Sequence, residues 1–334
     1  MEKLLVSILI CSKNRFDSLR HLVNQLRIIE TEDFKLEIVV VEEIANPDPI
    51  KGTVYCHLPV KGLGFGYARQ RAVEAAHGSV LVFIDDDCLP LPDWLNNLLV
   101  PFNNQDISAV GGGILLQSSG SIGKAVALLG FPAGGIARLL RCGNSPQVSR
   151  ELSTGNLAIR TEAVEKVGGF SVSHKYGGED QELVRALPGI TLFQPTALVY
   201  HKQRDTIKDI WKWFARRGKG EYFINRGLGI GHLHALIYPW RWSWWWRLTF
   251  LIAFSVFFGL MPLIILFICY FLFLLFRTFL ANRNKSLIPE VETCRKQILK
   301  LASLLWAPIV RITMDLGREW GRLGAMLEDI KGNE

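Results

Sequence analysis

Residues 4–10 are apolar apart from one serine and run into a polar turn at Cys11–Arg15, which predicts a buried strand. From Asp17 onward, Leu19, Leu22, Val23, Leu26 and Ile29 recur at the spacing of one helical face and predict a helix. Residues 36–41 predict a second buried strand and 53–58 a short third. A glycine-rich turn at 62–66 leads into a helix over about 67–77, and residues 80–84 (VLVFI) form a wholly apolar strand. A short helix follows around Trp94–Leu99. Further on, 152–159 reads as a strand, 161–167 and 179–187 as helices, and 190–200 as a strand running directly into His201. Apolar strands alternating with helices imply an α/β fold, a mostly parallel sheet covered on both faces.

The pattern changes after residue 110. Residues 121–141 are glycine-rich and apolar, with basic residues towards both ends. They suit a mobile loop or interfacial helix, or equally an ordinary packed helix broken at Pro132. Residues 206–226 read as a basic, aromatic helix, and 241–247 (RWSWWWR) is a tryptophan cluster flanked by arginines. From Leu248 to Phe276 there are 29 residues without a charge, more than the roughly 20 that cross a bilayer. Tryptophan beside arginine is typical of the membrane interface, so membrane insertion is expected. Arg241 and Arg247 precede this segment and Arg277, Arg283 and Lys285 follow it, which would place both ends in the cytoplasm. A break at Gly259–Pro262 leaves halves of roughly 12–14 residues, each too short to span upright. The alternatives are one tilted span or a re-entrant hairpin, and the hairpin is favoured. Residues 291–328 are amphipathic, with Leu299, Leu301, Leu304, Leu305, Trp306 and Ile309, and lie along the membrane or pack on the globular part. The expected organisation is a domain at 1–225, a basic linker at 226–247, a transmembrane or re-entrant segment at 248–277 and an amphipathic helix at 291–330.

Composition adds to this picture in two places. The net charge of +7 arises from 38 Lys+Arg against 31 Asp+Glu, and the excess clusters at Arg216, Arg217, Lys219, Arg226, Arg241 and Arg247. A collar beside an apolar segment suits an anionic membrane face or a phosphate-bearing substrate, and argues against nucleic acid. The six cysteines, at 11, 56, 88, 142, 269 and 294, show no C-x-x-C spacing. That argues against a disulfide framework or structural zinc and fits a reducing compartment. The run 4–10 is too short for a signal core, so the globular part is expected to face the cytoplasm.

Parallel sheets bind ligands beyond the carboxyl ends of their strands. Cys11–Arg15, Glu42–Glu43 and Asp85–Asp87 all fall at such ends. Asp85 and Asp87 form a D-x-D after a buried strand, a spacing that offers two carboxylates to one hard divalent cation such as Mn²⁺ or Mg²⁺. A solvated acidic turn is the plainer alternative. Three adjacent like charges repel one another, however, unless a cation is bound.

The run GLGFGYARQRAVEAAHGSVLVFIDDDCLP (62–90) resembles the central signature of the family 2 glycosyltransferases of bacterial type, which have the GT-A fold. VSILICSKNR is similar to that family's first strand and nucleotide-contacting turn. STGNLAIRTEAVEKVGGF followed by GGEDQELVRAL is similar to its acceptor-side half. The likeness covers about residues 4–225 and rests on four motifs in order. It implies that Asp85 and Asp87 bind metal and donor, that Asp180 is the catalytic base of an inverting reaction, and that His201 is a third metal ligand. It places Ser12, Lys13, Arg15, Glu42, Glu43 and Arg69 around a nucleotide-sugar donor. A base there has a chemical purpose, since the acceptor hydroxyl must lose a proton as it attacks. N-terminal helix stabilisation is the structural alternative for Asp180.

Some positions depart from the family pattern. Glu42-Glu43 stand where two aspartates are common, Lys13 falls in a turn that is usually uncharged, and Gln70 replaces an asparagine. The Q-x-x-R-W motif of processive synthases is absent, and Arg216 and Arg217 occupy the comparable region, which favours transfer of a single sugar. The expected activity is metal-dependent transfer to a lipid-linked or membrane-proximal glycan acceptor, in cell-envelope polysaccharide synthesis. An alternative acceptor is a polyprenyl phosphate clamped by Arg216, Arg217 and Lys219. An alternative of another class is an inactive membrane scaffold that binds nucleotide or glycan.

Overall fold

The structure, a computed structural model, describes residues 3–29, 34–117, 119–238 and 244–332. In chain order the elements begin with β1 (Leu4–Lys13), α1 (Phe16–Arg27), β2 (Phe34–Glu43), β3 (Val54–Leu58), α2 (Phe65–Ala75) and β4 (Val80–Ile84). Next come β5 (Cys88–Pro90), α3 (Trp94–Leu99), β6 (Ile107–Leu116), α4 (Ser121–Leu128), α5 (Gly135–Cys142) and β7 (Gln147–Val148). They are followed by β8 (Asn156–Arg160), α6 (Thr161–Lys166), α7 (Glu179–Ala186), β9 (Ile190–His201) and α8 (Ile207–Gly227). The last are α9 (His232–Ile237), α10 (Trp244–Phe258), α11 (Leu260–Asn282), α12 (Pro289–Ile298) and α13 (Leu301–Gly332).

These elements form two compact units. The first takes the described residues within Met1–Ser118, Pro132–Lys202 and Ser286–Glu292, and the second those within Ser119–Phe131, Gln203–Lys285 and Thr293–Glu334.

The first unit is built on a mixed sheet in the order β3-β2-β1-β4-β8-β6-β9-β5, with β7 added beside β9. Strands β1 to β4 pair in parallel, and β6 is parallel to β9. β8 runs antiparallel between β4 and β6. Every residue of β4 and β6 is buried, as strands covered on both faces require. α1 buries Leu19, Leu22, Val23 and Leu26, four of the five residues that the helical spacing selected. The register sets Ser12 opposite Glu42 and Lys13 opposite Glu43, so the polar ends of β1 and β2 emerge side by side.

Strand β6 was not foreseen, and Gly111–Gly113 in its middle carry no side chains to form a pattern. The glycines instead allow close approach: a Cβ on Gly112 would lie 2.2 Å from the Ala197 carbonyl oxygen and the Asn156 amide. Asn156, wholly buried, donates to the carbonyls of Gly113 and Ala197 at 3.0 and 2.9 Å and accepts from the Trp94 indole at 2.8 Å. One side chain thus joins β8, β6, β9 and α3.

The second unit is helical. Ala125 and Val126 of α4, Ile210, Trp213 and Phe214 of α8, and Ala307, Val310 and Met314 of α13 share one core. α8 and α13 meet at backbone distance: a Cβ on Gly218 would lie 1.9 Å from the Arg318 carbonyl oxygen, and one on Gly321 1.8 Å from that of Ala215. The segment 121–141 is therefore two packed helices, α4 and α5, interrupted around Pro132. The amphipathic tail divides into α12 and α13, and α13 packs against α4 and α8.

The apolar segment breaks at Gly259, where φ is +74°. The Trp244 ring packs edge-on against Tyr270 with centroids 5.9 Å apart, so α10 folds back along α11 as a hairpin. One expectation needs correction, namely that each half is too short to span. α11 continues past Arg277 to Asn282, and Leu263–Asn282 gives 20 residues with mean hydropathy 2.6. Only 11% of that window is buried, unlike the core helix of a soluble protein. By length and composition it can cross a membrane alone.

Candidate active site

The acidic triplet follows β4 directly, and its side chains divide. Asp86 turns inward and is 5% exposed. Its carboxylate accepts from the Ser12 hydroxyl at 2.7 Å and from Arg15 Nη1 at 2.8 Å. The same Arg15 nitrogen reaches Asp87 Oδ2 at 2.7 Å. Between Ser12 and Arg15, Asn14 takes a left-handed conformation (φ +53°) that bends the chain after β1. Burial pushes the Asp86 pKa up to about 6, against the opposing pull of Arg15 and Ser12. Asp85 is also raised, by burial first, while Arg69 and His201 pull it down and Asp87 and Asp180 push it further up. The charges expected to meet at the site thus act on one carboxyl. Gly155 leaves room for Asp85, since a Cβ there would lie 3.0 Å from Oδ2.

His201 ends β9 opposite Cys88. Its Nε2 lies 3.3 Å from Asp87 Oδ1, and its Nδ1 is buried without a hydrogen-bond partner. Ligand atoms of Asp87, Cys88 and His201 all lie within 4.8 Å of one another. A carboxylate and an orphaned imidazole nitrogen suit a divalent cation. The Cys88 thiol donates to the Gly155 carbonyl at 3.7 Å, and burial raises its pKa well above the ordinary value, which keeps it protonated.

Asp180 lies in the first turn of α7, just after Gly177 and Gly178 (φ +119° and +103°), and accepts from the Gln181 amide at 2.8 Å. Glu179 beside it is buried and ion-paired with Arg69. Arg69 Nη2 also lies 3.7 Å from Asp85 Oδ1. Lys13 Nζ donates to Glu43 at 2.8 Å, as does the Gly62 amide. Burial raises the Glu43 pKa, but those two donors and the charges of Lys13 and Lys175 outweigh it and hold the carboxyl below its usual range.

Glu42 is wholly buried and accepts from the Tyr55 hydroxyl, so of the two glutamates only Glu43 is open at the strand end. A hollow of about 380 Å³ lies at the ends of β1 and β2, lined by Asn14, Arg15, Phe16, Asp17, Ser18 and Ile44. A larger one, about 570 Å³ and lined partly by Leu36, Glu37 and Val54, lies at the opposite ends of the strands and holds none of these acids. In the helical unit the ammonium of Lys219 is paired with Glu328, and Arg226 with Asp329. Arg217 lies 5.8 Å from the Phe214 ring.

Sequence reasoning gave no role to Asp86 or Glu179. Burial alternates along the triplet, the Asp86 side chain being 6% exposed against 40% for Asp85 and 16% for Asp87.

The family model for glycosyl transferase family 2 matches residues 7–167. A glucosyl-dolichyl phosphate glucuronosyltransferase of Haloferax volcanii is 30% identical over 254 residues, covering 70% of this chain and 78% of that protein. The chain belongs to the family 2 glycosyltransferases. A pre-mycofactocin glycosyltransferase of Mycobacterium tuberculosis is 27% identical over 229 residues, and the match spans 64% of this chain but only 45% of that relative. Among solved structures, a mannosyltransferase from Pyrobaculum calidifontis in complex with GDP-Man and Mn²⁺ superposes with a TM-score of 0.53 at 15% identity, covering 92% of this chain and 88% of that one. The glycosyltransferase fold is therefore GT-A, and the sheet and its flanking helices carry it.

Proposed function

We propose that this glycosyltransferase moves one sugar from a nucleotide sugar to a lipid-linked or membrane-proximal acceptor by an inverting displacement that needs a divalent cation. The observation that carries the reading is the geometry after β4: Asp87 lies 3.3 Å from His201 at the carboxyl end of β9, and Arg69 links Asp85 to Glu179, the neighbour of Asp180. Asp85, Asp87 and His201 would hold the cation, which when bound neutralises charge on the departing diphosphate. Lys13 and Arg15 add positive charge beside the same ends. The hollow at Asn14–Ser18, lined also by Ile44, offers the nucleobase a place. Asp180 accepts the proton of the attacking hydroxyl.

The Haloferax relative, named for glucosyl-dolichyl phosphate, supports a lipid-linked acceptor. The hairpin of α10 and α11 supports attachment to the membrane. The basic residues on both sides of the apolar segment, Arg241 and Arg247 before it and Arg277, Arg283 and Lys285 after it, support a catalytic unit on the cytoplasmic side. Loading of a bare polyprenyl phosphate is the weaker reading, because Lys219 already has a carboxylate partner. A thermal-shift screen of UDP-, GDP-, dTDP- and CDP-sugars with Mn²⁺ tests donor use, since a ligand of the native state raises its apparent stability. A metal-dependent shift with one nucleotide class, lost in Asp85→Ala, is expected. Equal shifts in the parent and Asp85→Ala would reject the site.

A further inference from the structure

We propose that Glu179, acting through Arg69, is a positioning residue that holds the base Asp180 and the donor-side acid Asp85 at one site. The inference rests on the reading of Asp180 as the base. Glu179 opens α7 yet is only 2% exposed, and its Oε2 is buried without a hydrogen-bond partner. Burying a carboxylate is costly unless a charge compensates it. The compensation comes from Arg69 Nη1, which donates to Oε1.

A helix N-terminus needs no such burial. Asp180 and Glu182 already place acidic charge in that turn, where it favours the helix from a more open position. The pair has a second consequence. Arg69 is 12% exposed, its Nη2 lies 3.7 Å from Asp85 Oδ1, and its guanidinium lies 5.5 Å from the Phe65 ring centroid. One planar fork therefore spans Glu179 and Asp85, which lysine cannot imitate with a single point charge.

The chain before α7 shows why a tie is needed. Gly177 and Gly178 both have positive φ, in a region where glycine is free to turn, so the backbone there does not set the direction of the helix. The ion pair to α2 adds a constraint one residue before the base, beside those that Gln181 makes with the Leu152 carbonyl and Glu182 with His174. Without Glu179, α7 loses its tie to α2, and Arg69 is left with Asp85 as its charged partner.

The test uses the full chain in detergent with Mn²⁺ and whichever of UDP-glucose, UDP-glucuronic acid or GDP-mannose the donor screen selects. Glu179→Gln is expected to bind that nucleotide sugar within about threefold of the parent while the transfer rate falls about 100-fold, the scale of a small misplacement, and Arg69→Lys is expected to slow transfer at least as much. The double variant Arg69→Gln/Glu179→Gln removes the buried carboxylate together with its partner, and the Asp85 that also loses the arginine is 40% exposed. This variant should melt close to the parent and remain slow, so it decides the matter if the single variant fails to fold. Parental transfer rates in Glu179→Gln or in the double variant would overturn the proposal. So would losses of rate, donor affinity and melting temperature that run in parallel, which would mark a structural role alone. Asp180→Asn separates the two assignments. If it transfers at the parental rate, the base assignment fails and this proposal with it. If it is slow while Glu179→Gln is fast, only this proposal fails.

Discussion

Replacing Asp86 by asparagine should stabilise the protein and slow it. The carboxyl is raised from 3.8 to about 6 by burial that Arg15 and Ser12 do not fully offset. Because the folded-state value lies above the unfolded one, the folded chain holds the proton more tightly. Stability therefore falls as the pH rises through that interval, and the full cost of the ionised group is present at pH 7. A shift of about two units corresponds to about 3 kcal/mol, an upper bound for what removing the charge can return. Asparagine keeps the shape, its oxygen can accept from Arg15, and its amide can donate to the Ser12 hydroxyl. The charge-assisted part of the Arg15 bond is lost, about 1 kcal/mol. A net gain of about 1–2 kcal/mol remains, or a melting temperature higher by several degrees at about 2–4 °C per kcal/mol. Transfer should nevertheless slow, because Arg15 is left with Asp87 as its charged partner and the triplet loses its inward anchor. Thermal unfolding in EDTA at pH 7.5 and again near pH 4.5 measures the effect. The gain should shrink at the lower pH, where the parent Asp86 carries its own proton. A loss of more than about 1 kcal/mol at pH 7.5, or a gain undiminished by acid, would show that the ionised Asp86 carries no net burial cost.

Other perturbations test other levels of the structure. Asn156→Ala removes a side chain that makes three buried hydrogen bonds and should cost about 2–4 kcal/mol, read as a lower denaturant midpoint. Gly321→Leu, whose Cβ would meet the Ala215 carbonyl at 1.8 Å, should separate α8 from α13 and give poorly folded protein, visible as a lost cooperative melt. The Glu37 pKa is raised by burial but lowered more by hydrogen bonds from Ser7 and His77 and by the His77 charge. Glu37→Gln should therefore destabilise above about pH 4.5 and lose that effect as the pH falls through the depressed folded-state value, a dependence that unfolding at several pH values resolves.

Much of the fold was legible because buried parallel strands leave a plain trace: 4–10, 36–41 and 80–84 are almost wholly apolar, and each lies inside an observed strand. β6 was not, because Gly111–Gly113 carry no side chains to form a pattern, and their purpose depends on Leu152, Asn156 and Ala197, distant in sequence. The D-x-D and the Glu-Asp pair stood out as chemistry, but their partners did not. The contact of Arg15 with both Asp86 and Asp87 spans more than 70 residues, and that of Arg69 with Glu179 spans 110. Glu42 and Glu43 looked equivalent; strand alternation sends one into the core with Tyr55 and leaves the other at the strand end. The apolar segment was legible as long enough to cross a membrane, but its helix continues past the charge-free window to Asn282, which donates to the Leu128 carbonyl at 3.0 Å.

Asp180 is proposed to take the proton at a donor site built on Asp85, Asp87 and His201. Single-turnover transfer by Asp180→Asn, measured beside its affinity for the donor, tests this most directly. Donor affinity within about threefold of the parent, with transfer slower by about 10²–10⁴, is the predicted result. Transfer at the parental rate with the donor bound equally well would contradict it.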